Sequence, residues 1–119
     1  MGLDMYAYFV PKGEEPNEHN QTEVQYWRKF NALHGWMEDL YRERGGEAEH
    51  FNCIHLKLED ADLDRLLNDM KQDKLAPREG FFFGEQEIRM ADFVSAYGFA
   101  GLAKFLIAMD KDIYYDSWW

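Results

Sequence analysis

The sequence predicts an α+β domain, with a mixed, mainly antiparallel sheet of about four strands and helices packed on one face. Three observations carry this. Residues 3–10 alternate with period two and are rich in strand formers. Leu63, Leu66, Leu67 and Met70 recur at i, i+3, i+4, i+7, the spacing of an amphipathic helix. The C-terminal stretch 112–119 is again alternating and aromatic.

Taken in order, the first strand ends at Pro11, and the residues after it read as an acidic surface loop. A first helix is expected from Thr22, because Thr22-Glu23-Val24-Gln25 has the hydroxyl and the amide of a capping box. It should run to Gly45-Gly46, a left-handed stop, with Tyr26, Phe30, Leu33, Met37 and Leu40 as its core stripe. A second strand is expected over 51–58, with Ile54, Leu56 and Leu58 on one face and Cys53, His55 and Lys57 on the other. Glu59 and Asp60 then suit the positive end of a second helix that closes near Asp73. Phe81-Phe82-Phe83 between glycines reads as a short third strand, and a third helix lies between residues 91 and 109. The order is β-α-β-α-β-α-β, in one domain spanning 1–119. Three helices cover only one face of such a sheet.

Composition narrows the function. The 119 residues are 46% hydrophobic and 17% aromatic, which supports a packed core. The net charge of -10 repels phosphate backbones and anionic membranes, and it favours basic partners. Direct nucleic-acid binding and membrane association are therefore not expected. The one cysteine, Cys53, excludes an internal disulfide and fits a reducing cytoplasm. The N-terminus lacks the basic and apolar regions of a signal peptide, and Tyr6 stands where a myristoylation signal wants Ser or Thr. The stretch 93–109 holds Gly98, Gly101 and Lys104 and falls short of a membrane span; a buried helix is expected there.

Few motifs carry chemistry. Phosphate loops, dinucleotide turns and nucleophile elbows are missing from the sequence. Cys53 and His55 lack a second pair at zinc spacing. Asp60-Ala61-Asp62-Leu63-Asp64 opens like a calcium loop, but Arg65 and Lys71 occupy its Gly and Glu positions. No metal or cofactor is expected, and the balance points away from an enzyme. The richest side chains sit on one flank of the first helix. Relative to its core stripe, Trp27, Asn31, His34, Glu38 and Tyr41 fall between about 60° and 140°. Such a row suits a hydrogen-bonded ligand, or it packs as an ordinary core margin. Aromatics form the second clue. If Met5, Ala7 and Phe9 face the helices, Tyr6 and Tyr8 face away, and Tyr114, Asp116 and Trp118 alternate with Ile113, Tyr115 and Ser117 in the same manner. Either this second face is an aromatic interaction surface, or a loop or the third helix covers it.

Several blocks resemble a group of small phage and prophage proteins with no assigned activity. They are Met1-Gly2-Leu3-Asp4-Met5-Tyr6, Tyr26-Trp27-Arg28-Lys29-x-Asn31-x-Leu33-His34-x-Trp36, Phe82-Phe83-Gly84 and Tyr114-Tyr115-x-Ser117-Trp118. The likeness extends over most of the chain and is poorest over 91–108, where the resemblance implies a more charged amphipathic helix than this sequence has. The resemblance implies a setting, a cytoplasmic accessory protein on a mobile element of a bacterium, and carries no catalytic role. It singles out Trp27, Arg28, Asn31, His34, Tyr115, Ser117 and Trp118; with Glu38 from the helix flank, these are the candidate binding residues. Three functions compete. The first is docking on a protein partner, such as the basic channel of a host defence complex. The second is a small-ligand pocket or active site beside the first helix, and the third is self-assembly as a homodimer.

Overall fold

The computed structural model describes residues 2–72, 74–75 and 90–119. Its elements are β1 (Asp4–Pro11), β2 (Thr22–Arg28), α1 (Asn31–Glu43), β3 (Leu56–Leu58), α2 (Asp60–Lys71), α3 (Met90–Ala108) and β4 (Lys111–Trp118). The strands form one sheet in the order β2-β1-β4-β3, and every neighbouring pair is antiparallel. The fold is α+β, as the sequence patterns predict. The triple phenylalanine expected as a strand lies outside the described residues.

Period-two alternation separates the two faces of the sheet. Met5 and Ala7 of β1, Leu56 and Leu58 of β3 and Ile113 and Tyr115 of β4 join one buried cluster with residues of all three helices. Tyr8, Val10 and Tyr114, of the opposite parity, form a separate small cluster that contains no helix residue. The helices therefore occupy one side. In the core, Trp27 stands edge-on to Phe99 with ring centroids 5.3 Å apart, and its indole donates to Ser95 Oγ at 2.8 Å. Lys104 ties α3 to α2 through Asp64 at 2.6 Å and Asp60 at 3.1 Å.

Three expectations need correction. Residues 22–28 are a strand and not the start of the first helix. Thr22, Val24, Tyr26 and Trp27 are β-branched or aromatic, and all but the bulged Val24 stand opposite residues of β1 in an antiparallel ladder. A bulge between Ala7 and Tyr8 accommodates the extra residue on β2. Lys29, at φ 56°, turns the chain out of the strand, and the helix begins only at Asn31. The second strand is likewise shorter than 51–58. Cys53 has φ 58°, which breaks extended backbone, and only Leu56–Leu58 pairs with β4. The preceding segment is held by side-chain and main-chain bonds instead: Cys53 N donates to Ser117 O at 2.8 Å, and Asn52 exchanges two hydrogen bonds with the Trp119 backbone. The third helix, finally, is not buried all round. Ala96, Phe99, Ala100 and Ala103 are buried, while much of its apolar remainder faces outward.

Helix ends follow the sequence more closely. α1 stops where expected, with Gly45 at φ 86°. Glu59 and Asp62 form a reciprocal capping box at the start of α2. Gly46 is required for a different reason. A Cβ there would stand 2.3 Å from the Tyr41 ring, which lies 5.2 Å from the Phe51 ring and whose hydroxyl accepts from Ala48 N. Gly46→Ala should therefore displace Tyr41 and lower stability by about 1–2 kcal/mol in chemical denaturation. An unchanged midpoint would mean that the ring swings away freely.

Candidate functional site

The candidate binding residues separate into three places. Trp27, Asn31, His34, Tyr115 and Ser117 are buried. The Tyr115 hydroxyl lies 2.6 Å from His34 Nδ1, and the Phe51 ring stacks on Tyr115 with centroids 6.0 Å apart. A hydrogen bond from the Ser117 side chain offsets part of the burial that raises the Tyr115 phenol, and a backbone hydrogen bond joins the imidazole to Phe51. A neutral imidazole completes this chain, accepting from tyrosine at one nitrogen and donating to the main chain at the other. These contacts pack His34 and Tyr115 against Phe51. Glu38 lies apart, in a helical ion pair with Arg42 at 3.4 Å. Arg28 and Trp118 are on the other side of the sheet.

That side is read directly from the strand register. Arg28, Asp4 and Trp118 form one row across three strands, Tyr26, Tyr6 and Asp116 the next, and Glu23, Tyr8, Tyr114 and Lys57 a third. The third row is largely closed. Tyr8 and Tyr114 are buried and stack with centroids 5.8 Å apart, and His55 stands edge-on to Tyr8. The loop of residues 12–21 is tied to this end by Gly13 N, which donates to Asp112 Oδ2 at 2.9 Å. A covering loop thus accounts for part of the aromatic face. The first two rows stay open: Tyr26 is 42% and Trp118 66% exposed.

The open rows are acidic and aromatic together. Tyr26 donates to Asp4 Oδ1 at 2.5 Å, and its ring centroid is 5.4 Å from that of Tyr6. Partial burial and then the charges of Asp4, Glu23 and Asp116 push the Tyr6 phenol up. Burial also raises the Asp116 carboxyl, against a hydrogen bond from the Ser117 backbone and the nearby His55. His55 Nδ1 is 3.5 Å from Asp116 Oδ2 and also bonds the Tyr8 hydroxyl, whose pKa burial raises further. Tyr6, Tyr8, Gln21, Glu23 and Asp116 line a cleft of about 310 Å³. A neighbouring cleft of about 370 Å³ is lined by Gly2, Asp4, Arg28, Trp118 and Trp119. A Cβ at Gly2 would stand 2.9 Å from the end of the flexible Arg28 side chain, which a small shift of the guanidinium relieves.

Carboxylates at the edges of tyrosine rings are suited to a cation. The ring faces attract it through their quadrupoles, and the acids bond its N–H groups. Of the residues that build this face, sequence reasoning had selected Arg28 and Trp118 as binding residues. It passed over Tyr6, Tyr26, Glu23, His55 and Asp116. The alternation of β1 and β4 already placed Tyr6 and Asp116 on this side. Tyr26 and Glu23 were hidden by the helical assignment of residues 22–28.

Burial lowers the His34 pKa to about 4, partly offset by its bond to the Phe51 backbone. The unfolded chain therefore binds this proton first, and stability falls as pH drops from about 6.5 towards 4. His34→Gln keeps a polar partner for Tyr115 and removes the titration. The stability advantage of wild type over this variant should shrink by about 2–3 kcal/mol between pH 7.5 and pH 4.5 in urea unfolding. A constant difference would show that His34 titrates alike in the folded and unfolded chains.

No protein-family model, curated protein or solved structure matches the chain.

Proposed function

We propose that the chain is a protein-interaction module that presents the open end of its sheet to a basic surface of a partner protein. One observation carries this reading: Asp4, Glu23 and Asp116 surround Tyr6 on the face without helices, beside the exposed Trp118. Exposed Tyr and Trp are the side chains that anchor protein interfaces, and carboxylates around them select arginine or lysine on the other side. The net charge of -10 works in the same direction over longer range, drawing in basic partners and repelling nucleic acid. The resemblance to phage and prophage proteins supplies a setting, an accessory protein in the bacterial cytoplasm. A host defence complex with a basic nucleic-acid channel is a partner class that fits this surface. A small-molecule pocket beside α1 has less support, because His34 and Tyr115 are buried against one another and against Phe51.

Calorimetric titration with an arginine-rich peptide and its glutamate counterpart tests the proposal. The arginine peptide should bind alone, and its Kd should rise roughly tenfold or more between about 50 and about 300 mM salt. Trp118→Ala should weaken it by roughly tenfold without changing the unfolding temperature, since the side chain stands in solvent. Equal binding of both peptides, or binding indifferent to salt, would overturn the reading.

A further inference from the structure

On the far side of the molecule, α3 presents an apolar surface that the sheet-face proposal does not use. Its exposed positions are Met90, Ala91, Val94, Tyr97, Gly98, Gly101, Leu102, Phe105 and Ala108, with Met109 just past its end. At 100° per residue they fall within a stripe about 140° wide, opposite the buried Ala96, Phe99, Ala100 and Ala103. Among the described residues, no member of this stripe is charged. Lys104 lies at its margin and turns to Asp60 and Asp64. The six large side chains on the stripe are 42–78% exposed. Taking about 200 Å² for a fully exposed large side chain, they offer roughly 700 Å² per copy. That exceeds the usual largest apolar patch of a monomer and approaches the ~800 Å² that each partner of a stable dimer buries.

The arrangement is also self-complementary. Around the midpoint between Phe99 and Ala100, Gly98 mirrors Gly101, Tyr97 mirrors Leu102, Val94 mirrors Phe105 and Met90 mirrors Met109. A Cβ at either glycine would meet nothing within 4 Å, so the backbone is bare at the centre of the stripe. Beside Val94 an apolar cleft of about 390 Å³ opens between Met70, Met90, Phe93 and Tyr97. We infer that this face is a homodimer interface: a second copy packs its α3 antiparallel on the first, about a two-fold axis at the glycines, and inserts its Phe105 into that cleft. A two-fold contact requires residue i to meet j and j to meet i, and the mirrored stripe satisfies this with large groups opposite large ones. Charge selects the same place. Two copies of net charge -10 repel, and they approach best where the surface carries no charge.

Sedimentation velocity from about 5 to about 500 µM protein tests the interface, with a dimer expected at micromolar concentration. Added salt should leave that dimer intact or strengthen it, the reverse of its effect on a basic partner. Phe105→Asp should weaken association by roughly a hundredfold or more. Gly98→Leu should do the same by blocking the crossing, while circular dichroism shows both variants folded, since each site is open in the single chain. Trp118→Ala should leave the dimer unchanged, so that failure of the sheet-face proposal and failure of this one are separable. A wild-type chain that remains monomeric throughout, a dimer that dissolves with salt, or a dimer untouched by both α3 variants would overturn the inference. So would a monomer that instead binds uncharged phosphatidylcholine vesicles, since α3 is long and apolar enough for lipid to be the competing occupant.

Discussion

The pairing of the first strand with the last is the constraint on which the structure depends. β1 and β4 run antiparallel in continuous register from Asp4 opposite Trp118 to Pro11 opposite Lys111. They form the centre of the sheet, with β2 and β3 added at the edges. Because side chains alternate with period two, a slip of one residue would exchange the two faces. Tyr115 and Ile113 would move into water, and Asp116 and Asp112 would enter the core. The register is thus held by burial on one side and by charge on the other. It is reinforced at its open end, where Asn52 clasps the Trp119 backbone and Trp119 Nε1 donates to Phe51 O at 3.0 Å.

The core carries a polar thread, and its cost is controlled locally. Burying an imidazole and a phenol without partners would cost several kcal/mol. Here Ser117, Tyr115, His34 and the Phe51 main chain serve one another across β4, α1 and the 47–55 segment. The thread links β4 to α1 through Tyr115 and His34. The same strand, one residue along, sends Asp116 to the other side. Structural and surface chemistry therefore alternate along β4.

Charge and apolar area are distributed unevenly around the molecule. Acidic groups crowd the open sheet face, where Asp4, Glu23 and Asp116 act on Tyr6. The outer stripe of α3 has no charge of its own, and its flanking lysine is neutralised by α2. An ionic surface weakens with salt, whereas an apolar one does not, so the two sides of the chain would respond to opposite solution conditions. Each proposal in this way rests on a different element and a different force.

Period-two alternation in β1 and β4 and helical spacing in α2 were legible in the sequence because each pattern is local and repeats over several residues. The left-handed stop of α1 at Gly45 was legible too, since only backbone freedom is at stake there. The stretch 22–28 was misread because its Thr-x-x-Gln pattern and a helical spacing extending to Leu40 outweighed its strand-forming residues; the ladder with β1, a distant partner, decided the matter. His34 was chosen from the helix flank it was expected to share with Asn31, and Tyr115 from the resemblance; the fold brings the two side chains together. Whether such a flank faces a ligand or the inside depends on what lies opposite, and Phe51 arrives there only when Cys53 turns the chain. The sequence by itself determined the α+β class, the two faces of the central strands and a net acidic character. Tertiary structure alone decided which polar groups were sealed in, which tyrosines stayed open and that α3 would leave an apolar side uncovered. These outcomes depend on contacts between residues far apart in the chain, which no local pattern encodes.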